Sequence, residues 1–120
     1  MASGTIQEPY QKIKALWAND NPNSNFVAQT IPLDLSQYRF VLVRLLSGTS
    51  STPDTSSNFE HIIRVGTTGV CYVVANVIRY RSAVVSTTGV AFTSAYNIAT
   101  YGTPTQADNL CIPYQIYGIK

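Results

Sequence analysis

Apolar and polar positions break this chain into short runs separated by turn-forming residues. In "KIKALWA" Ile13 alternates with lysines before Leu16 and Trp17. "NDNPNSN" (19–25) is built from residues that favour turns through side-chain bonds to backbone or a fixed φ, so it reads as a loop. "FVAQTIPLDL" sets Val27, Gln29 and Ile31 on one side and Phe26, Ala28 and Thr30 on the other. Pro32 has no N–H to give a ladder and marks a strand end, bulge or edge. Asp34 and Ser36 in "DLSQY" are placed to bond nearby backbone amides. "YRFVLVRLLS" (38–47) is apolar on both faces, which predicts a central strand packed on both sides.

"GTSSTPDTSSN" (48–58) is a long polar loop. "FEHIIRV" follows, then "GVCYVVANVIRYRSAVV", which is too long for one strand and should bend near Ala75 and Asn76. "GTTG" (66–69) and "STTG" (86–89) read as two similar hairpin turns, not as a repeated unit. "VAFTSAYNIATY" comes next, "GTPTQADN" (102–109) is the last loop, and "LCIPYQIYGIK" is a final strand. The sum is about eight short strands at the spacing of an all-β antiparallel β-sandwich, jelly-roll-like, with little helix. The length suits one domain spanning residues 1–120.

Composition narrows the class. At 45% hydrophobic the chain is too apolar for disorder. Only 12% is charged, about half the usual ~25%; Ser, Thr, Asn and Gln supply the polarity. The net charge of +2 comes with no basic stripe. Arg79 and Arg81, with Arg64, would make at most a small basic patch on a solvated strand face, so no nucleic-acid partner is expected. The start, "MASGTIQEPYQKIK", lacks an apolar h-region, and no apolar run nears the ~18 residues of a membrane span. The expectation is a chain made in a cytoplasm and not inserted in a membrane. Cys71 and Cys111 have no CxxC spacing, which predicts buried free thiols.

Catalytic chemistry finds little to stand on. The single histidine, His61, sits beside Ile62 and Ile63 and reads as a half-buried strand residue. No GxSxG elbow exists, no metal-ligand spacing exists, and "GTTGV" lacks the lysine of a phosphate loop. Asp20, Asp34, Asp54 and Asp108 fall in turns, leaving Glu60 without a partner for acid–base work. No enzyme activity, cofactor or metal is expected. What remains is aromatic: eight tyrosines and one tryptophan. Trp17, Tyr96 and Tyr101 are candidate binding platforms, since Tyr and Trp stack on sugar rings or fill interfaces with little entropy lost. The competing reading of each is a core or strand-face residue.

"LWANDNPNSNFVAQTIPLDLSQYRFVLV" (16–43), the hairpin "VSTTGVAF" and the closing "CIPYQIYGIK" together resemble small β-sandwich domains of phage and prophage virion structural proteins, of tail-fibre, baseplate or head-fibre type. The resemblance covers about two thirds of the chain, in order, and offers no catalytic motif. It implies a non-enzymatic structural or adhesion protein located in the virion, a tail or baseplate module for host attachment. A capsid head-fibre or decoration protein and a carbohydrate-binding module are the alternatives. Partners would be other virion proteins and a host cell-surface saccharide. Ile112, Tyr114, Ile116, Tyr117 and Ile119 run almost to the last residue, where chain ends are usually polar. One strand face can fill a core; the other keeps Tyr117 and Ile119. Closed symmetric assembly buries such surfaces, and virion fibres of the kind resembled are commonly trimers. The expectation is a homotrimer with Tyr117 and Ile119 at the interface.

Overall fold

The structure, a computed structural model, describes residues 12–50, 59–74, 78–98 and 102–120. These residues contain no helix and ten strands: β1 Ile13–Ala18, β2 Gln29–Pro32, β3 Phe40–Gly48, β4 Phe59–Arg64, β5 Thr68–Val74, β6 Ile78–Ser86, β7 Gly89–Phe92, β8 Tyr96–Ile98, β9 Thr105–Gln106 and β10 Leu110–Ile119. They form two antiparallel sheets. The four-stranded sheet has the order β1-β10-β3-β4. The six-stranded sheet has β6 at its centre, with β5 along one side and β7 and β8 in series along the other; β2 and β9 extend these. The all-β sandwich expected from the sequence is the fold found. There are two more strands than the pattern suggests, because 90–101 divides at Thr93–Ala95 and the loop 102–109 holds the two-residue β9.

The first strand pairs with the last, so "CIPYQIYGIK" is tied down on both sides: β10 lies between β1 and β3. Tyr114 is the extra residue of a bulge there, since Pro113 opposes Leu45 and Gln115 opposes Arg44. Val41, Val43 and Leu45 of β3 and Ile116 of β10 point inward and are fully buried. They meet Cys71, Ala83, Val85, Val90 and Phe92 from the other sheet in one cluster. Each such side chain contributes roughly 1.5–3 kcal/mol by leaving water.

Glycine matters where strands approach closely. A Cβ at Gly118 would stand 2.6 Å from the Tyr38 ring, and one at Gly69 2.7 Å from Ile63. The "GTTG" turn departs from its expected role. Gly66 N donates to Val85 O (2.8 Å) and Val85 N to Thr67 O (3.0 Å), so this turn carries the chain from β4 in one sheet to β5 in the other. Only "STTG" closes a hairpin, β6 to β7. Ile63, paired with Val41 in the β3–β4 ladder, also packs under Gly69 across the sandwich.

Three other readings change. Phe26 is buried, but outside any strand. Its N–H donates to Asp108 O (2.9 Å) and its ring meets Phe92 edge-on at 5.5 Å, so the alternation read through 26–31 holds only from Gln29. β3 is central, yet only one of its faces is covered for most of its length; Phe40 and Leu42 remain exposed and half-exposed. Arg81 does not lie on a solvated face. It is 0% exposed, the largest fully buried side chain. Its Nε donates to Cys111 O (2.8 Å), Nη1 to Phe26 O and Thr93 O (both 2.9 Å), and Nη2 to Leu110 O (3.0 Å). The guanidinium also sits 5.1 Å from the Phe26 ring centroid. This planar fork of donors knits β6, β10 and two loops together.

Candidate functional site

Directly opposed residues of an antiparallel pair share a side of the sheet, so the registers define the two outer faces. On the four-stranded sheet, one transverse row reads Ile13, Ile119, Phe40, Arg64 and the next reads Ala15, Tyr117, Leu42, Ile62. Ile62 is 63% exposed, Ile13 57% and Phe40 37%. Tyr117, Leu42 and Ile119 are half-buried by their neighbours. A third row is polar and closes the patch. Arg44 Nη1 donates to Gln115 Oε1 (2.7 Å), Arg44 Nε pairs with Glu60 Oε2 (3.2 Å), and the Tyr117 hydroxyl donates to the same Gln115 oxygen (3.2 Å). The expected interface residues Tyr117 and Ile119 therefore stand together, joined by Phe40, Leu42, Ile62 and Ile13, which the sequence reading did not select. Recognising them needs the β3–β4 and β1–β10 registers.

The outer face of the six-stranded sheet differs in kind. Tyr72 opposes Tyr80, Tyr80 opposes Tyr96, and Tyr96 opposes Gln106, giving a row across β5, β6, β8 and β9. The rings of Tyr80 and Tyr96 stack at 5.7 Å with 26° between planes. Tyr72 is 49% exposed and leans on the His61 ring at 4.7 Å. His61 Nε2 lies 2.9 Å from Tyr72 O and 3.2 Å from Tyr72 N; one tautomer donates to the carbonyl, the other accepts from the N–H. The histidine thus fastens the outer edge of β5 to β4. Ile78 opposes Ile98 on one side of the row, and Val70 opposes Ser82 on the other, followed by Thr68, Val84, Ala91 and Thr30.

No Lys, Arg, Asp or Glu occupies an outward position of this sheet among the described residues. The arginines of "IRYRS" face inward: Arg81 is fully buried and Arg79 Nε is buried beside it on the inner surface. Asp108 stands beyond the end of the row, accepting from Ala95 N (3.3 Å) and Gln106 Nε2 (3.2 Å).

Of the sequence candidates, Tyr96 belongs to this row and Trp17 does not. Trp17 is on β1 of the other sheet, half-buried, edge-on to Phe26 at 6.3 Å. It lines an open hollow of about 310 Å³ with Asn19, Asn21, Asn25 and Ile31. Tyr101 lies outside the described residues. Tyr72 lies among apolar strand neighbours and Tyr80 between two arginines, so neither stands out in the sequence, and only the strand register aligns them with Tyr96.

The interior offers buried, inert groups. Cys71 and Cys111 are free and buried, as expected. Burial pushes Cys71 up to about 12, with Cys111 adding to it; burial likewise pushes Cys111 up to about 11, against the pull of Arg81 and Arg79. Burial lowers the Arg81 pKa from its ordinary value, opposed by Cys111 and Asp108. Asp34 caps its turn as anticipated: Ser36 N and Oγ donate to Oδ1 (3.1 and 2.6 Å), which lowers its pKa. Among the described residues no group of three or more His, Cys, Asp or Glu side chains could hold a metal ion, and no helix is long and apolar enough to cross a membrane. No protein-family model, curated protein or solved structure matches the chain.

Proposed function

We propose that this protein is a non-enzymatic structural and adhesion module of a phage particle, of the tail or baseplate host-attachment kind, and that it works as a homotrimer closed through the outer face of its four-stranded sheet. The observation that carries the assembly is that face: two rows of Ile13, Ile119, Phe40, Ala15, Tyr117, Leu42 and Ile62 over four strands, bounded by a polar row. An exposed apolar patch rimmed by polar groups is the usual sign of a contact surface. The two outer faces of a sandwich point in opposite directions, so joining one to the other would stack copies without closure. Turning the same face of every copy toward a common axis closes the assembly. The threefold number and the virion attribution come from the resemblance of residues 16–43 and 111–120 to virion domains.

Light scattering on the size-exclusion peak tests the assembly. A mass near 39 kDa, three times 13.1 kDa, is expected. Tyr117→Asp combined with Ile119→Asp should bring it to 13.1 kDa with a β-type spectrum retained. A wild-type chain that runs as a monomer at micromolar concentration removes the assembly. Immunogold labelling of particles tests the attribution: gold at the tail end is expected, gold on the capsid points to the decoration role, and unlabelled particles refute both.

A further inference from the structure

We infer that the Tyr72–Tyr80–Tyr96 row on the outer face of the six-stranded sheet is a binding site for a neutral oligosaccharide. The assignment rests on the adhesion reading above and names the ligand class for it. The argument starts from charge. No charged side chain occupies an outward position on this sheet among the described residues, because the two arginines of β6 are turned inside. A nucleic acid would bring phosphates and find no cation to neutralise them. An acidic or basic peptide or glycan would lose water from its charges with no partner to replace it. A ligand that matches this surface is itself uncharged.

Shape and chemistry narrow it further. Tyr72 and Tyr96 flank Tyr80 on neighbouring strands, so the row spans two strand spacings, about 10 Å. That is an elongated aromatic strip rather than a pocket. Tyrosine offers a ring for the C–H face of a sugar and a hydroxyl for its polar edge. Ser82 and Gln106 add a hydroxyl and an amide at the side and end of the strip. The strip is held before any ligand arrives: Tyr80 and Tyr96 stack on each other at 5.7 Å. Tyr72 is braced by the His61 ring and by its Nε2, 2.9 Å from Tyr72 O. Side chains ordered in advance lose less freedom on binding. A second copy of this chain is the rival occupant. It is disfavoured because the four-stranded sheet already offers a more aliphatic self-association face on the opposite side, and copies using both faces would not close.

The test uses the whole protein on a printed array of neutral and anionic glycans, followed by calorimetry with the best neutral glycan. Binding to at least one neutral glycan is expected. Tyr80→Ser and Tyr96→Ser should each weaken it by about tenfold, the scale of one aromatic contact, with melting and oligomeric mass unchanged. Tyr117→Asp serves as the control on the opposite face. It should change the mass and leave per-chain glycan affinity intact, so failure of the assembly and failure of the site can be told apart. No binding on the array, binding of anionic glycans only, or neutral-glycan binding indifferent to both tyrosine variants overturns the inference. A mass change caused by Tyr80→Ser assigns the face to a second copy instead.

Discussion

The two outer faces of the sandwich are made of different side chains. The four-stranded sheet shows aliphatic Ile13, Ile62 and Ile119 with Phe40, Leu42 and Tyr117, carries Arg64 at the β4 end of one row, and ends on the polar row of Gln115 with the ion pair Arg44 and Glu60. The six-stranded sheet shows three tyrosines in register, hydroxyl and amide neighbours, and no ionised group. Aliphatic surface has no polar handle and gains most when another dry surface covers it. Tyrosine keeps its hydroxyl in contact with water or a polar ligand while its ring makes contact. One protein can therefore use one face to assemble and the other to bind, and the difference is visible in side-chain chemistry alone.

The second face is uncharged because both arginines of β6 turn inward, and removing the fully buried one, Arg81, is the harshest variant of all. Arg81→Met removes the Arg81 donor from the buried carbonyls of Phe26 and Cys111 and from the part-buried carbonyls of Thr93 and Leu110. Each buried loss costs roughly 1–3 kcal/mol and the part-buried ones less, together a large share of the stability of a small domain, about 5–15 kcal/mol. The variant is expected to lack a cooperative thermal transition. Arg81→Lys keeps the charge but not the planar fork and should be intermediate. A melting temperature for Arg81→Met within a few degrees of wild type would show that this hub is dispensable.

The same residue shows how much the sequence discloses. Loop positions, the turn at Asp34 and the sandwich class follow from period and punctuation, which are local, whereas the strand count falls two short because the break at Thr93–Ala95 and the two-residue β9 leave no periodic mark. "IRYRS" also alternates correctly, but local pattern cannot say which side is inside. Arginine is rarely buried, so on sequence alone the polar members read as outward. The four carbonyls that make burial possible come from Phe26, Thr93, Leu110 and Cys111, remote in sequence and assembled only by the fold. "FVLVRLLS" failed in the opposite direction: two apolar faces suggested two covered faces, whereas the isolated chain covers one. Tyr96 was legible as an aromatic candidate, but its row was not, since Tyr72 and Tyr80 join it through register.

A milder test probes the inner surface of the six-stranded sheet, where a one-residue slip would exchange the faces. Cys71 lies inside and Tyr72 outside. The folded-state pKa values of Cys71 and Cys111, about 12 and about 11, exceed the ordinary 9.0. Unfolding therefore releases protons at alkaline pH. The stability linked to these thiols is fully present below pH 9 and is lost as pH rises toward 11 and then 12. The slope is about 1.4 kcal/mol per pH unit and per thiol within that window. Urea unfolding from pH 8 to 10.5 should show this decline, and Cys71→Ala with Cys111→Ala should flatten it relative to wild type. An identical slope in the double variant would mean that the thiols are not inside.

The smallest effect on the folded chain gives the sharpest separation of the two faces. Ile62 and Val84 are both exposed strand residues, one on each outer face. Replacing either by Asp removes little buried area and alters strand propensity by at most about 1 kcal/mol, so both variants should melt close to wild type. Their assembly should differ. Ile62→Asp places a carboxylate at the β4 end of the proposed aliphatic contact, where burial without a partner is costly, and should lower the mass toward one chain. Val84→Asp stands on the face opposite the proposed contact and should leave the mass near three chains. Glycan affinity should follow the reverse order, with Val84→Asp, two positions from Ser82 along β6, the only one to weaken it. If Val84→Asp dissociates the assembly while Ile62→Asp does not, the aromatic face is the contact between copies, and the roles assigned to the two sheets exchange.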